Sequence, residues 1–472
     1  MSIDRVLEIF KEINTVPRGS GDMEKIAKFC VDFADKNSLK SVRDKANNVI
    51  IFKDASKGYE KSEPIILQGH LDMVCQKEQG CDIDFSKDAI EVYQDGDFLR
   101  AKGTTLGADN GIAVAMIMAI LESDNIPHPA IQALFTSDEE IGLIGAGALD
   151  ATLLTAKKMI NIDGEEDDCI IVSCAGGADV TADVLKKCKK VCGKRYKVLL
   201  KGLTGGHSGV EINSGRVNAN ILAGRFLNHI KALCDFDIIS INGGDKSNAI
   251  PNMCEINLCT NNDNFLNLAN DYLKVIKTEI AEREPNFNPE IVALSEGEYE
   301  VFEKELKEKL IFIMSSAFNG VLDFSMSIKG LVETSLNFGI LKTSEENIKI
   351  VFSLRSNKVT AMDALKEKLK TFLLLITDDV KEGSGYPSWE YKHNSIIREV
   401  YREVYKELIG VEPKIEAIHA GLECGVFDSK IKDLDCISIG PNMWEVHTYN
   451  ERLSISSTEK IFKLLCETLK RS

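Results

Sequence analysis

The chain has 472 residues, 44% of them hydrophobic and 28% charged, with a formal net charge of −16. That length exceeds what one hydrophobic core usually serves, so two domains are expected, and the acidic balance argues against nucleic acid or an anionic membrane as a partner. No apolar run approaches a bilayer span, the first residues are amphipathic rather than a secretory signal, and 13 scattered cysteines without a CxxC pair fit reduced thiols in a cytoplasm.

Residues 3–39 carry helical periodicity broken by Asn14-Thr15-Val16-Pro17-Arg18-Gly19-Ser20-Gly21, which predicts a helix, a loop and a second helix. Asn47-Asn48 then turns into a strand at 49–52. The run Pro64-Ile65-Ile66-Leu67-Gln68-Gly69-His70-Leu71-Asp72 predicts a buried strand, and because side chains alternate, His70 and Asp72 share a face at its end. A solvated histidine beside an ordinary turn is the other reading of that stretch alone. Residues 76–97 are polar, acid-rich and too weakly patterned to assign.

Gly107-Ala108-Asp109-Asn110-Gly111 opens a long apolar helix over 112–121, with Asp109 in its first turn, where a plain N-cap is the default role. A strand over 131–136 ends in Ser137-Asp138-Glu139-Glu140, and another over 159–162 ends at Asp163-Gly164-Glu165. Strands separated by helices imply an α/β layer with a largely parallel sheet, in which ligands gather at the carboxyl ends of the strands. His70, Asp109, Glu139, Glu140 and Asp163 all fall at such ends or just beyond them.

Composition breaks at 175–177 and 383–387 bracket a different texture, α+β with antiparallel hairpins. Within it, strands are expected at 196–203, 237–241, 322–341 and 348–354, and helices at 217–233, 265–282, 300–318 and 361–376. The expected division is therefore one domain in two segments, 1–176 and 385–472, interrupted by an inserted α+β domain at 177–384. The second segment carries a helix at 396–409, a strand at 436–439 and a final helix at 457–469. The Lys-rich run 186–197 reads as a solvated face, Glu165 and Glu166 as a solvated acidic loop, and His128, His229 and His393 as ordinary histidines. Cys188 and Cys192 are spaced for a structural zinc but are read as plain thiols.

Carboxylates and imidazoles gathered around one pocket are what a hydrolytic zinc site needs. With no thiolate among them, cobalt or manganese is able to substitute. Of the adjacent Glu139 and Glu140, one can bind metal while its neighbour acts as a general base on water; an exposed acidic loop is the alternative.

Gln68-Gly69-His70-Leu71-Asp72, Gly107-Ala108-Asp109-Asn110-Gly111, Asp138-Glu139-Glu140 and Asn161-Ile162-Asp163-Gly164-Glu165 resemble, in order and spacing, the co-catalytic zinc peptidases that include aminoacylases and glutamate carboxypeptidases. Gly202-Leu203-Thr204-Gly205-Gly206-His207-Ser208-Gly209 and Pro441-Asn442-Met443-Trp444-Glu445-Val446-His447 extend the match over the chain. Ala417-Ile418-His419-Ala420-Gly421-Leu422-Glu423-Cys424-Gly425 narrows the resemblance to the bacterial aminoacyl-histidine dipeptidases.

The resemblance makes the two-segment domain, 1–176 and 385–472, a catalytic domain and the α+β insert at 177–384 a lid domain. It implies two Zn2+ per subunit and hydrolysis of unblocked dipeptides, favouring Xaa-His, with β-alanyl-His within range. It makes His70 and Asp163 ligands of one zinc, Glu140 and His447 ligands of the other, and Asp109 the bridge. It also implies that Asp72 orients His70, that Glu139 is the general base and that His207 stabilises the oxyanion. Asn248 and Arg355 become substrate-holding groups and Gly421 a point of close substrate approach, whereas His419 is read as structural. Without the resemblance, His207 and Asn248 read as turn residues and Arg355 as a surface cation.

An N-acyl-amino-acid deacylase or a tripeptidase would share every metal residue. A catalytically silent zinc-binding protein would be expected to lack the base or a ligand, and all are present. A small peptide substrate, a cytoplasmic location and a homodimer formed through the inserted domain complete the expectations.

Overall fold

The Ile65–His70 run is a strand, and all six of its residues are buried. It lies inside an eight-stranded sheet built from β1 (Lys40–Arg43), β2 (Val49–Lys53), β3 (Ile65–His70), β4 (Ile131–Thr136), β5 (Lys158–Asn161), β6 (Cys169–Cys174), β7 (Lys414–Ile418) and β8 (Asp435–Ser438). Their order across the sheet is β1-β2-β4-β3-β5-β8-β6-β7. The pairings β4–β3, β3–β5 and β5–β8 are parallel, while β1–β2, β2–β4 and β8–β6 are antiparallel. Parallel strands need covering on both faces, which is why β3, β4 and β5 read as nearly unbroken apolar runs.

The computed structural model describes residues 3–472. Among the described residues one unit comprises 3–174, 389–417 and 422–472, and a second comprises 175–388 with 418–421. No helix among the described residues is long and apolar enough to cross a membrane.

In the first unit the Ala108–Glu122 helix is apolar on every side, with residues 110–121 all buried, as a helix enclosed by its neighbours requires. Asp109 and Asn110 depart from helical geometry, and Gly107 takes the N-cap position with φ +67°, so Asp109 does not cap the helix. The stretch left unassigned in the sequence contributes Val92–Asp95, which pairs with Phe98–Ala101 across Gly96-Asp97. Arg452–Ser454 and Met443–Trp444 extend the same four-stranded sheet. This sheet ties down both flanks of the His447 loop.

The second unit is organised on a nine-stranded antiparallel sheet. Helices Ala219–Lys231, Phe265–Ile280, Lys304–Ser316 and Val359–Leu373 supply Phe226, Leu273, Leu310 and Leu369 to a core shared with Val198, Leu258, Phe338 and Phe352. Two local expectations are revised here. The helix expected from residue 300 begins only at Lys304, because Glu290–Phe302 is a strand. Its partner, Cys188–Leu200, contains most of the Lys-rich run. Lys190 of that strand meets Glu298 at 3.1 Å, so cross-strand charge pairing stands where an apolar alternation would have signalled a strand.

Candidate active site

The register of the sheet decides which loops meet. His70 lies opposite Thr136 on β4, and Gln68 lies opposite Asn161 on β5. The loops 137–140 and 162–165 therefore leave at the same edge as His70-Leu71-Asp72, at the carboxyl ends of parallel strands.

Asp109 stands between two histidines. Its Oδ1 is 3.0 Å from His70 Nε2 and its Oδ2 is 3.0 Å from His447 Nε2. Asp163 Oδ1 lies 3.4 Å from the same His70 nitrogen, and Glu140 Oε1 lies 3.0 Å from the same His447 nitrogen. Two atoms each bound at about 2.0–2.1 Å to one tetrahedral ion are separated by about 3.3 Å, so these spacings fit ligand atoms around two ions. His70, Asp109 and Glu140 present ligand atoms within 4.8 Å of one another. Glu166, Asp168 and Cys169 also approach that closely, but burial pushes the Cys169 thiol up to about 12 and Asp168 pairs with Lys414 at 2.8 Å. A thiol that resists ionisation is a poor ligand. Among the described residues no such group includes Cys188 or Cys192.

The electrostatics favour added positive charge. Burial opposes the His70 imidazolium, but Asp163 and Asp109 outweigh it and hold the pKa well above its ordinary value. Bonds to Asp109 and Glu140 push His447 up to about 11. Burial, reinforced by Asp163, Glu423 and Glu140, holds the Glu139 carboxyl well above the carboxylate range, and burial raises Glu140 and Asp163 too. Four acids thus share two imidazoles, a donor set whose charge and hard oxygen and nitrogen atoms fit divalent cations.

Asp72 is fully buried and works on two neighbours. Its Oδ1 lies 3.5 Å from His70 Nδ1 and accepts from the Glu139 amide at 2.9 Å. Its Oδ2 accepts from Ser20 at 2.8 Å and from the Glu140 amide at 3.2 Å. Burial would raise this carboxyl, but the hydrogen bonds led by His70 hold it below its usual range. One carboxylate thereby fixes both the first histidine and the Glu139-Glu140 loop.

Several contributors escaped the sequence reading. Asn110 accepts from the His70 amide at 3.2 Å and donates to the Ile162 carbonyl at 2.7 Å, joining two of the donor-bearing segments. Glu423 accepts from Gln68 at 2.6 Å and from Thr136 at 2.8 Å, and burial pushes its carboxyl up to about 8. Arg18 and Glu451 are likewise buried. The available signal was the charge of Glu423 and Glu451 beside strongly apolar or motif residues, but their partners are hundreds of positions away.

The remaining expected residues belong to the second unit. His207 ends the Gly206–His207 strand opposite Ala249, and Asn248 is exposed next to that pairing. His207 Nδ1 accepts from the amides of Gly209 and Val210, each at 3.3 Å, so the proton resides on Nε2. That nitrogen faces Arg355 Nη2 at 3.5 Å, two donors directed at one place. Burial and then Arg355 lower the His207 pKa, which keeps the ring neutral. Arg355 is only 6% exposed, donates to Tyr386 Oη at 2.6 Å and, among the described residues, has no carboxylate partner. At Gly421 a Cβ would meet the Tyr386 ring at 2.6 Å, so the close approach found there is to that ring. His419 is buried between Ser335 (2.7 Å) and Asn357 (3.3 Å), and burial lowers its pKa to about 3.

The model of peptidase family M20/M25/M40 matches residues 66–471. The cytosol non-specific dipeptidase of Escherichia coli K12 is 36% identical over 469 residues, spanning 98% of this chain and 96% of that protein. The solved aminoacylhistidine dipeptidase of Vibrio alginolyticus is 33% identical with a TM-score of 0.89, covering 99% of this chain and 96% of that one. The aminopeptidase PepT of Bacillus cereus ATCC 10987 shares the fold at 17% identity, with a TM-score of 0.58 and coverage of 100% and 98%.

The neighbouring carboxylates raise the pKa of both histidines, that of His447 to about 11, so ligation must displace protons that these carboxylates hold there in metal-free protein. Zinc titration calorimetry in buffers of different protonation enthalpy should show release on the order of one proton per ion. Binding should tighten as pH rises through neutrality. Heats independent of the buffer would remove these histidines from the ligand set.

Proposed function

We infer that this chain, a metallopeptidase that belongs to peptidase family M20/M25/M40, is a dipeptidase for unblocked dipeptides that favours Xaa-His, with β-alanyl-His in its range, on two Zn2+ per subunit. The observation that carries the reading is Asp109, whose two oxygens lie 3.0 Å from His70 and 3.0 Å from His447. His70 and Asp163 would hold one ion, Glu140 and His447 the other, and Asp109 both. Co2+ or Mn2+ should substitute, since the donors are oxygen and imidazole nitrogen. When bound, the two ions supply Lewis acidity toward a peptide carbonyl and make water a competent nucleophile near neutral pH.

The chain's own groups perform the rest. Among the described residues the Glu139 carboxyl makes no hydrogen bond, and Asp72 holds its backbone. Glu139 therefore takes the proton of the attacking water and delivers it to the leaving amine. His207, neutral and protonated on Nε2, donates to the carbonyl oxygen as negative charge develops there. Arg355, buried and with no acid partner among the described residues, receives the free carboxylate of the peptide through its two-pronged donor edge, and Asn248 assists beside His207. The inserted unit serves as lid and as the contact of a homodimer. The name of the Escherichia coli relative supports a cytoplasmic location. A deacylase or a tripeptidase would use the same metal residues, so substrate choice is what discriminates.

Zinc-loaded protein should cleave Ala-His, β-Ala-His and Ala-Leu in preference to a tripeptide and an N-acetylated amino acid, and a chelator should abolish this. Turnover of the acetylated substrate alone would move the activity to deacylation. Glu139→Ala should retain both ions while kcat falls by about 10²–10⁴-fold, the worth of a general base. Near-wild-type kcat would remove it from that role. Arg355→Ala should raise KM about tenfold or more for peptides with a free C-terminus, the scale of a charged hydrogen bond. An equal loss on amidated peptides would contradict carboxylate capture.

A further inference from the structure

The loop that presents Asp109 turns its amides toward one side chain. Glu451, 3% exposed, accepts from the N–H groups of Leu106 at 2.8 Å, Gly107 at 3.0 Å and Ala108 at 2.8 Å, with the Asp109 amide at 3.4 Å. Successive amides directed at one point make an anion-binding concavity, filled here by the chain's own carboxylate. The left-handed backbone of Gly107, φ +67°, allows the turn.

The carbonyl side of the same loop is held by the opposite charge. Fully buried Arg18 donates to Gly107 O at 2.5 Å, Leu71 O at 3.2 Å, Asp72 O at 3.4 Å and Asn14 Oδ1 at 3.2 Å. A Cβ at Gly107 would collide with that guanidinium, and one at Gly111 would lie 2.7 Å from it. Glu451 is also part of the turn that carries His447, since its amide donates to Thr448 O at 3.1 Å. The segments bearing His70, Asp109 and His447 are therefore cross-linked by two buried ions that are not themselves candidate ligands.

We propose that Glu451 is a positioning residue for the metal centre, fixing the Asp109 backbone to the His447 turn so that one Asp109 oxygen reaches each histidine. This rests on the two-ion reading above. Its role is to set the grip of the site on the second ion, with folding of the unit carried by the apolar core. Hydrogen-bond partners that orient ligands typically change metal affinity by about 10–100-fold when removed.

Glu451→Gln tests this, because it keeps the size of the side chain but turns an NH2 toward amides that need an acceptor. Three quantities are compared with the natural protein: zinc affinity against a competing chelator, the visible spectrum of the Co2+ form, and the melting temperature of the metal-free protein. The expected result is binding of the second ion weakened by about 10–100-fold, more than any lowering of the metal-free melting temperature accounts for, with an altered Co2+ spectrum. Wild-type affinity and spectrum in the folded variant would overturn the proposal, and so would a loss of affinity that merely tracks a lower metal-free melting temperature. If the Gln variant does not fold, Glu451→Asp, which keeps both oxygens on a shorter arm, is judged by the same three readouts. Failure of the unaltered protein to bind two ions is a separate outcome that would overturn the two-ion reading itself.

Discussion

Asp109 can face two histidines at once only if its backbone abandons the helix it introduces, and much of the surrounding structure answers to that constraint. Gly107 rather than Asp109 occupies the cap position, residues 109 and 110 leave helical geometry, and Asn110 binds the neighbouring strands instead of extending the helix. The long apolar helix behind it is enclosed on all sides, which gives the irregular first turn a fixed base. The three parallel strands then bring His70, Glu140 and Asp163 to the same edge without any one of them needing a long reach.

The centre is charged in a way that folding alone does not favour. Burial raises Glu139, Glu140 and Asp163, and the two imidazoles neutralise only part of the acidic excess. Such a cluster weakens the metal-free state and strengthens the state that binds cations, so metal affinity and stability are coupled by mass action. Asp72 and Asp109 shift the other way against burial: hydrogen bonds led by His70, with the Glu139 amide and Ser20, hold Asp72 below its usual range, and bonds to His447 and His70 hold Asp109 low.

The second unit has the complementary electrostatics. His207 and Arg355 bring two donors within 3.5 Å of one another, and Tyr386 accepts from one arm of the guanidinium. Glu211 receives the His207 amide at 2.7 Å and Arg216 at 2.5 Å. A buried cation with no acid partner among the described residues is costly unless an anion reaches it.

What the sequence determined by itself is local. The apolar run from Ile65 to Leu67 closed by Gly69-His70 and the adjacency of Glu139 and Glu140 are patterns within a few positions, so the strand and its attached chemistry were legible together. The helix at 396–409 was legible for the same reason, because its periodicity and its Gly410 stop lie inside one stretch. The Lys-rich strand was not, because the pairing that stabilises it lies about a hundred residues away in Glu298 and its neighbours. Arg18, Asn110, Glu423 and Glu451 were also invisible as parts of the site: a lone polar residue looks the same in a sequence whether it faces water or closes a buried hydrogen-bond network. Tertiary structure alone decided which distant groups those four would meet, because strand register and chain reversal, rather than composition, set distances between segments up to 355 residues apart.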